Sequence, residues 1–250
     1  MSIIAQMQDV TLIYHERNGE TLAVEHLDLT IEKGEFISIV GPSGCGKTSV
    51  LSMLAGLIQP SKGKLLYIDE KTPGYMLQRD HLLDWRTIEA NVLLGLQVKG
   101  LLNTHSKMYA LELLKKYGLW DFREAYPRQL SGGMRQKVAL IRTLAFSPEL
   151  LLLDEPFSAL DFQTRLRLAD EVYDIIRREE KTAVLVTHDI SEAISMGNRL
   201  LVFSPRPAHI MYEHLLSFTA ESPLKRRNEI GFKDYFDLIW KELDQNEKQS

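Results

Sequence analysis

A glycine-rich segment at residues 41–48 has the residue types and spacing needed to bind phosphate. Its glycines let the backbone bend until several N–H groups point inward at phosphate oxygens. Lys47 would reach the β- and γ-phosphates of a nucleotide, and the Thr48 hydroxyl would help to hold Mg²⁺. An incidental glycine turn is the weaker alternative, because a β-branched run precedes the segment and a helical stretch follows it. The predicted phosphate-binding residues are Gly41, Pro42, Ser43, Gly44, Cys45, Gly46, Lys47, Thr48 and Ser49.

Two adjacent carboxylates, Asp154 and Glu155, follow the apolar run at residues 150–153. Such a run predicts a buried strand, so both side chains would stand at its carboxyl end. Asp154 can hold Mg²⁺ directly or through water, and Glu155 can accept a proton from an attacking water. An acidic turn at a strand end is the alternative, and the phosphate-binding segment makes it the weaker one.

A serine followed by two glycines, at residues 130–133, precedes a helical pattern at residues 135–145. Ser131 predicts a helix N-cap, and backbone N–H groups at a helix start can bind an anion. Taken alone, a capped helix without any ligand explains this segment better.

The elements that must position these groups alternate between strands and helices. Strands are predicted at residues 10–14, 26–31, 35–40, 150–153, 182–187 and 208–216, and helices at residues 48–57 and 161–178. Strand, glycine loop and helix in that order form the first unit of an α/β fold. The continuous apolar strands favour a parallel sheet covered on both faces. Residues 84–146 are mostly helical by pattern, and aromatic and aliphatic residues at 232–243 recur at helical spacing, which predicts a docking helix.

Composition excludes several classes of protein. The chain has 250 residues, 44% hydrophobic and 26% charged, with a formal net charge of −4. These proportions exclude a disordered chain, and the acidic balance lacks the basic footprint of a nucleic-acid-binding domain. The basic stretches at residues 177–178 and 225–227 are interpreted as solvated faces. Cys45, the single cysteine, cannot form an internal disulfide and is interpreted as a small spacer. No stretch approaches the roughly 20 apolar residues that cross a bilayer, so we expect a cytosolic protein that reaches any membrane through a partner.

Together, residues 41–48, 130–133 and 154–155 resemble the motifs of the nucleotide-binding subunits of ABC transporters, with residues 130–133 as the signature motif. Further motifs of that family appear in order: Tyr14 resembles the aromatic that stacks on adenine, Gln78 the Q-loop glutamine, residues 158–161 the D-loop and His188 the switch histidine. From the residues alone, Tyr14 could equally be an aromatic on a sheet face, Gln78 a surface glutamine and His188 a solvated loop histidine.

The resemblance implies a fold and a division of the chain. The fold would be α/β, a P-loop NTPase (ABC ATPase) with a RecA-like core, an antiparallel β subdomain and an inserted helical subdomain. The ATPase domain would span residues 1–220, with the helical subdomain inserted at about residues 84–146. Residues 221–250 would form a C-terminal helical extension and a frayed tail.

The resemblance also implies roles within one subunit. The chain would be an ATPase coupled to transmembrane transport, with ATP and Mg²⁺ as its cofactors. Thr48, Gln78 and Asp154 would hold Mg²⁺. Glu155 would activate water, His188 would hold the γ-phosphate and steady Glu155, and Gln78 would complete the catalytic set.

Other implied roles lie between molecules. Two copies of the chain would meet head to tail, so that ATP on one phosphate loop is completed by Ser131, Gly132 and Gly133 of the other copy. Asp161 would communicate across that interface. The dimer would sit on the cytoplasmic face of the cell membrane, bound to integral membrane permease subunits near residues 78–85. An extracytoplasmic solute-binding protein would take part indirectly, and no nucleic acid is expected.

One branch of the family fits best. Residues 81–85, followed by Asn91, resemble nitrate, sulfonate and taurine uptake ATPases, as do residues 204–207 and the C-terminal aromatic helix. Asp84 stands where that branch usually has proline, and the segment at residues 64–78 is shorter than usual. The implied function is ATP hydrolysis that energises import of a small solute recognised by other subunits.

Two other kinds of ABC ATPase are the alternatives. Nucleic-acid-associated members carry a long coiled coil or a zinc insertion between phosphate loop and signature, and neither pattern separates Lys47 from Ser131. A regulatory subunit that barely hydrolyses ATP is disfavoured by intact Glu155 and His188.

Overall fold

The structure, a computed structural model, describes residues 2–16, 19–68 and 72–247. Its strands are β1 (Ile3–Glu16), β2 (Gly19–Glu32), β3 (Phe36–Val40), β4 (Lys62–Tyr67), β5 (Gly74–Met76), β6 (Leu150–Asp154), β7 (Thr182–Val186), β8 (Arg199–Phe203) and β9 (Ile210–Leu215). Its α-helices are α1 (Lys47–Leu54), α2 (Ile88–Val92), α3 (Leu94–Val98), α4 (Thr104–Lys116), α5 (Gly132–Leu144), α6 (Phe162–Arg178), α7 (Ile190–Met196), α8 (Pro223–Arg226) and α9 (Ile230–Glu247).

The larger sheet has six strands in the order β5-β6-β7-β3-β8-β9. The pairs from β5 to β8 are parallel, and β9 runs antiparallel to β8 at the edge. Because successive side chains point to opposite faces, Leu151 and Leu153 pack into one core cluster while Leu150 and Leu152 pack into another. The sheet is therefore covered on both faces, which confirms the predicted parallel α/β core.

A smaller antiparallel sheet pairs β1 with β2 and with β4. Its apolar side chains share one core with α1 and with a face of the larger sheet. This packing brings Tyr14, near the end of β1, to α1, where its hydroxyl lies 3.0 Å from Ser49 Oγ. The antiparallel β subdomain implied by the resemblance is thus present.

The helices α2 to α5 lie between β5 and β6 in the chain. Their apolar residues and those of α6 cover the other face of the larger sheet. They form the inserted helical subdomain, while its limits at residues 84–146, like the other domain boundaries, stay predictions.

The C-terminal helix α9 docks on α7. Ile239 is completely buried in a small cluster that includes Ile190 and Ile194 of α7. This confirms the helix predicted from residues 232–243. The helix includes residues 245–247, while residues 248–250 lie outside the described part of the chain, so the frayed tail stays a prediction.

Some elements differ from the sequence-based expectation. The patterns do not predict β4, β5 or β8: β4 is a largely exposed edge strand, β5 has three residues, and β8 becomes a strand by pairing with β3 and β9. Helix α5 begins at Gly132, three residues earlier than predicted, directly after its Ser131 cap.

Residues 69–71, in the shortened segment, lie outside the described residues. Within the described ranges, no helix is long and apolar enough to span a bilayer.

Candidate nucleotide-binding and active site

The glycine-rich loop connects β3 to α1 at the carboxyl edge of the larger sheet. Gly46 has φ of +128°, and a Cβ there would lie 2.7 Å from the Ala23 carbonyl oxygen, so only glycine fits. Lys47 is 6% exposed, and its ammonium donates to the carbonyls of Gly41 at 2.7 Å and Pro42 at 2.8 Å. The lysine is therefore held across the loop with its charge fixed at the cleft.

A cleft of about 420 Å³ opens over this loop. It is lined by Tyr14, Thr21, Ala23, Ser43, Gly44, Gly46, Lys47, Thr48, Ser49, Glu155 and Arg206. The lining thus includes the aromatic ring of Tyr14 together with Lys47 and two glycines of the phosphate loop. A flat ring and a cationic loop in one cleft can take the base and the phosphates of a nucleotide.

Asp154 ends β6 beside the loop. Its Oδ1 accepts from the Thr48 hydroxyl at 3.3 Å, and its Oδ2 accepts from the Tyr75 hydroxyl at 3.1 Å. Burial raises the pKa of Asp154, while these two hydrogen bonds and the charge of Lys47 oppose the rise. Among the described residues, no group of three or more His, Cys, Asp or Glu side chains could hold a metal. One hydroxyl beside one carboxylate nevertheless suits Mg²⁺, which binds through few protein ligands plus substrate phosphates.

Glu155 follows at a strained position. Its φ is +45°, a region that non-glycine residues rarely occupy, and its N–H donates to the Val186 carbonyl at 2.8 Å. Its Oε2 lies 3.1 Å from His188 Nδ1 and accepts from Gln78 Nε2 at 3.4 Å. Gln78 also donates to Ser158 Oγ at 3.2 Å. The three side chains proposed for catalysis therefore meet at the edge of the cleft.

The loop that carries His188 is fixed on both sides. The Thr187 N–H donates to the Ile39 carbonyl, and Asp189 caps α7 by accepting from the Glu192 N–H at 3.0 Å. Glu192 is 3% exposed and accepts from the Thr187 hydroxyl. Burial, with the nearby charge of Asp189, raises the pKa of Glu192 to about 8.

Ser131 and the two glycines after it lie apart from this cleft. Ser131 Oγ accepts from the Met134 N–H at 3.3 Å, which confirms the predicted N-cap. A Cβ on Gly132 would lie 3.0 Å from Leu160 Cδ2, so the segment packs against the D-loop of its own chain. None of Ser131, Gly132, Gly133 or Asp161 lines the cleft. Asp161 instead caps α6 by accepting from the Thr164 N–H.

Sequence reasoning missed two residues that contact the site. The Arg206 guanidinium lines the cleft and donates twice to the Gly44 carbonyl. Gln136, buried in α5, donates to the Gln78 carbonyl at 3.5 Å. For Arg206, the segment at residues 204–207 was a signal in the sequence, whereas Gln136 gave none.

One sequence-based interpretation is wrong. Arg226, placed on a solvated face, donates to the carbonyls of Ser195 and Ala220 and to the Tyr173 hydroxyl. Its guanidinium also lies over the Tyr173 ring, 4.9 Å from the centroid. The side chain is half-buried because folding brings α8 onto α6 and α7.

The parallel sheet, its glycine loop and the carboxylates at the end of β6 define a P-loop nucleoside triphosphatase. The model of the ABC transporter family matches residues 24–158, more than half of the chain. The chain therefore belongs to the ABC transporter family as an ATP-binding, ATP-hydrolysing subunit.

Named relatives agree with this family. The chain is 50% identical over 249 residues to the uncharacterized ABC transporter ATP-binding protein YtlC of Bacillus subtilis, covering 96% of this chain and 95% of that protein. It is 36% identical over 246 residues to the nitrate import ATP-binding protein NrtD of Synechocystis, covering 94% of this chain and 92% of that protein.

A solved structure shows the same fold. It is the dimeric, post-hydrolysis state of the ATP-binding cassette MJ0796 bound to ADP and phosphate, with a TM-score of 0.72 and 31% identity. The match covers 86% of this chain and all of that one.

Proposed function

We propose that this chain hydrolyses ATP in a head-to-tail homodimer that energises import of a small solute through a partner permease. The observation that carries the proposal is the division of the ATP-facing groups. P-loop residues and Glu155 line one cleft, and Asp154 is hydrogen-bonded to Thr48 of its lining, whereas the Ser131 segment stands outside it.

Glu155, His188 and Gln78 form the hydrolytic set. ATP would lie with its adenine on Tyr14 and its phosphates on the P-loop and Lys47. The Glu155 carboxylate accepts a proton from the water that attacks the γ-phosphorus, and the bond to the β-phosphate oxygen breaks. His188 Nδ1 lies 3.1 Å from Glu155 Oε2, and the other ring nitrogen would contact the γ-phosphate.

Thr48, Asp154 and Gln78 would hold Mg²⁺, with Thr48 hydrogen-bonded to Asp154 and the Gln78 amide hydrogen-bonded to the adjacent Glu155. When bound, the ion neutralises the charge of the β- and γ-phosphates.

The second copy completes the site. The start of α5 carries Ser131 and two glycines, whose N–H groups and helix dipole suit a γ-phosphate. Since that end lies outside the cleft of its own chain, the partner's ATP is the fitting ligand. The dimeric MJ0796 cassette supports this arrangement. Hydrolysis would release the shared phosphate and let the two halves part.

The permease would dock near residues 78–85, at the cytoplasmic face of the membrane. Trp85 is 75% exposed and Leu77 is 40% exposed, which is unusual for large apolar side chains. The segment beneath them is held by Asn91, whose amide bonds the backbone of Leu83 and Arg86. We place the chain in the nitrate, sulfonate and taurine import branch, supported by residues 81–85 and 204–207 and by the likeness to NrtD.

Gel filtration tests the dimer. Glu155→Gln should elute as a dimer with Mg-ATP and as a monomer without nucleotide, because ATP binds but is not consumed. Adding Ser131→Asp should abolish that dimer, since the new carboxylate would face the partner's γ-phosphate. A Glu155→Gln variant that binds ATP but stays monomeric would contradict the head-to-tail homodimer.

Affinity purification tests the partner. The chain, captured from detergent-solubilised source membranes, should bring down a multi-span permease and a solute-binding protein, identified by mass spectrometry. Trp85→Ala should lose the permease while retaining ATP hydrolysis. Recovery of nucleic-acid proteins, or of no membrane protein, would refute the importer assignment and leave the ATP site intact.

A further inference from the structure

We propose that Arg165 is a positioning residue that couples the D-loop, residues 158–161, to the loop that carries His188. The inference rests on the proposed function, because it concerns the same two-subunit reaction.

Arg165 lies one turn into α6 and reaches both loops. Its Nη2 donates to the Leu160 carbonyl at 3.2 Å, and its Nη1 lies 3.5 Å from Asp189 Oδ2. The side chains of Arg165 and Asp189 are 23% and 26% exposed, so solvent screens this ion pair only in part. One planar guanidinium thus joins two loops that are distant in sequence.

At its Asp189 end, the link acts on the loop that carries His188. Asp189 Oδ1 caps α7, and its own N–H donates to the Thr187 hydroxyl at 3.1 Å. His188 stands between these two anchored residues, with Nδ1 at 3.1 Å from Glu155 Oε2. A shift of the Asp189 side chain must therefore change where the imidazole lies.

The Leu160 end of the link controls the contact with the signature segment. Leu160 Cδ2 packs beside Gly132, and Thr164 Cγ2 packs beside Gly133. In the proposed dimer those glycines touch the partner's ATP. A displacement of the signature segment would therefore shift Leu160 and Arg165, and through them His188 of the same chain. His188 faces the ATP bound to its own chain.

The Arg165 guanidinium does not use all of its hydrogen-bond donors. Its Nε is buried and has no hydrogen-bond partner among the described residues, and 3.5 Å is long for a charge-assisted contact. Arg227 also lies near Asp189 and Glu192, whose charges oppose the lowering of its pKa by burial. Asp189 therefore keeps one cation when Arg165 is removed, so we expect partial loss of function.

The test compares steady-state ATP hydrolysis, ATP affinity and the Hill coefficient in the full-length chain. Arg165→Ala should lower kcat about tenfold and bring the Hill coefficient toward 1, a size typical of coupling between sites. Its KM and Kd for ATP should stay within about twofold, because the residue touches no part of the cleft. Arg167→Ala, which removes an exposed arginine two residues further along α6, is the matched control and should behave as the wild type.

A double-mutant cycle separates positioning from folding. Asp189→Asn keeps an oxygen that can cap α7 and removes the charge that Arg165 contacts. It should lower kcat similarly, and Arg165→Ala should add little in its background. If Arg165→Ala fails to fold, Asp189→Asn still tests the link.

Fully additive effects on kcat, loss of ATP affinity in step with kcat, or a defect shared by Arg167→Ala would each overturn the coupling. Those results leave the proposed function standing, provided that the wild type hydrolyses ATP and Glu155→Gln dimerises. Failure of those two controls would instead remove the proposed function itself.

Discussion

The two ATP-facing regions of this chain differ in how complete they are. The P-loop cleft takes its groups from the ends of buried strands, and Lys47 and Asp154 are each only 6% exposed. The signature segment is an exposed helix start whose Ser131 makes its hydrogen bond to the backbone of its own helix. The first region is preorganised by the core, whereas the second needs another molecule to supply its ligand. Binding of ATP and its hydrolysis should therefore respond differently to substitution.

The largest effect should come from Glu155→Gln. Glutamine keeps the size and hydrogen bonds of the side chain but cannot accept the proton from water. We expect kcat to fall by about 10²–10⁴-fold, with ATP affinity nearly unchanged. Phosphate release and fluorescent-nucleotide titration would measure both quantities. Glu112→Gln, on the exposed face of α4, is the control. If Glu155→Gln keeps more than a tenth of the wild-type rate, Glu155 is not the residue that accepts the proton.

Ser131→Asp should separate binding from hydrolysis. Aspartate caps a helix as well as serine does, so folding should be kept, but its charge would oppose the partner's γ-phosphate. We expect kcat to drop about 100-fold, the result of several kcal/mol of repulsion, while the monomer binds ATP as before. Ser131→Asn, a neutral cap, should retain most activity. Equal rates for the two variants would show that no phosphate reaches this helix start.

Arg206→Ala should have a smaller effect, and only on the P-loop side. The guanidinium is exposed at the mouth of the cleft, where solvent weakens its attraction for phosphate. We expect Kd for ATP to rise about two- to fivefold with kcat unchanged. The exposed Arg177 offers a matched control as Arg177→Ala. An unchanged Kd would mean that Arg206 holds the Gly44 carbonyl in place but does not contact ATP.

The last effect concerns the stability of the fold on the cleft side, and no loss of turnover is expected from it. The pKa of Glu192 is raised from 4.5 to about 8, so the folded protein binds this proton more tightly than the unfolded chain. Its contribution to the free energy of unfolding therefore falls as the pH rises between those values and is unfavourable above them. Glu192→Gln removes this dependence and keeps an acceptor for Thr187.

Thermal melts from pH 5 to pH 8 should show Glu192→Gln gaining stability over the wild type as the pH rises. Glu112→Gln should track the wild type throughout. A difference that stays constant with pH would mean that Glu192 is ionised in the folded protein.

Much of the cleft could be predicted from the sequence. Residues 41–48 act through local backbone geometry, and an apolar run followed by Asp154 and Glu155 specifies a buried strand with carboxylates at its end. The cap at Ser131 is local too, and the structure confirms it. Each of these features depends on residues that are neighbours in the chain.

Other features depended on pairing across the fold. The short strand β5 exists because it pairs with β6, and three residues carry no periodicity of their own. Arg226 looked solvated because its partners, among them Ser195 and Tyr173, lie 31 and 53 residues away. Arg206 reaches Gly44 over 162 residues of chain.

The sequence by itself determined which chemistry this protein carries, since backbone bends, helix caps and strand-end carboxylates are set by short runs of residues. Only the tertiary structure decided which groups meet. It brought Gln78, Glu155 and His188 together at one sheet edge and left Ser131 outside the cleft. The physical reason is that parallel strands align their carboxyl ends whatever their separation in sequence. The capped start of α5 packs against the D-loop instead, and neither Ser131 nor the two glycines after it line the cleft.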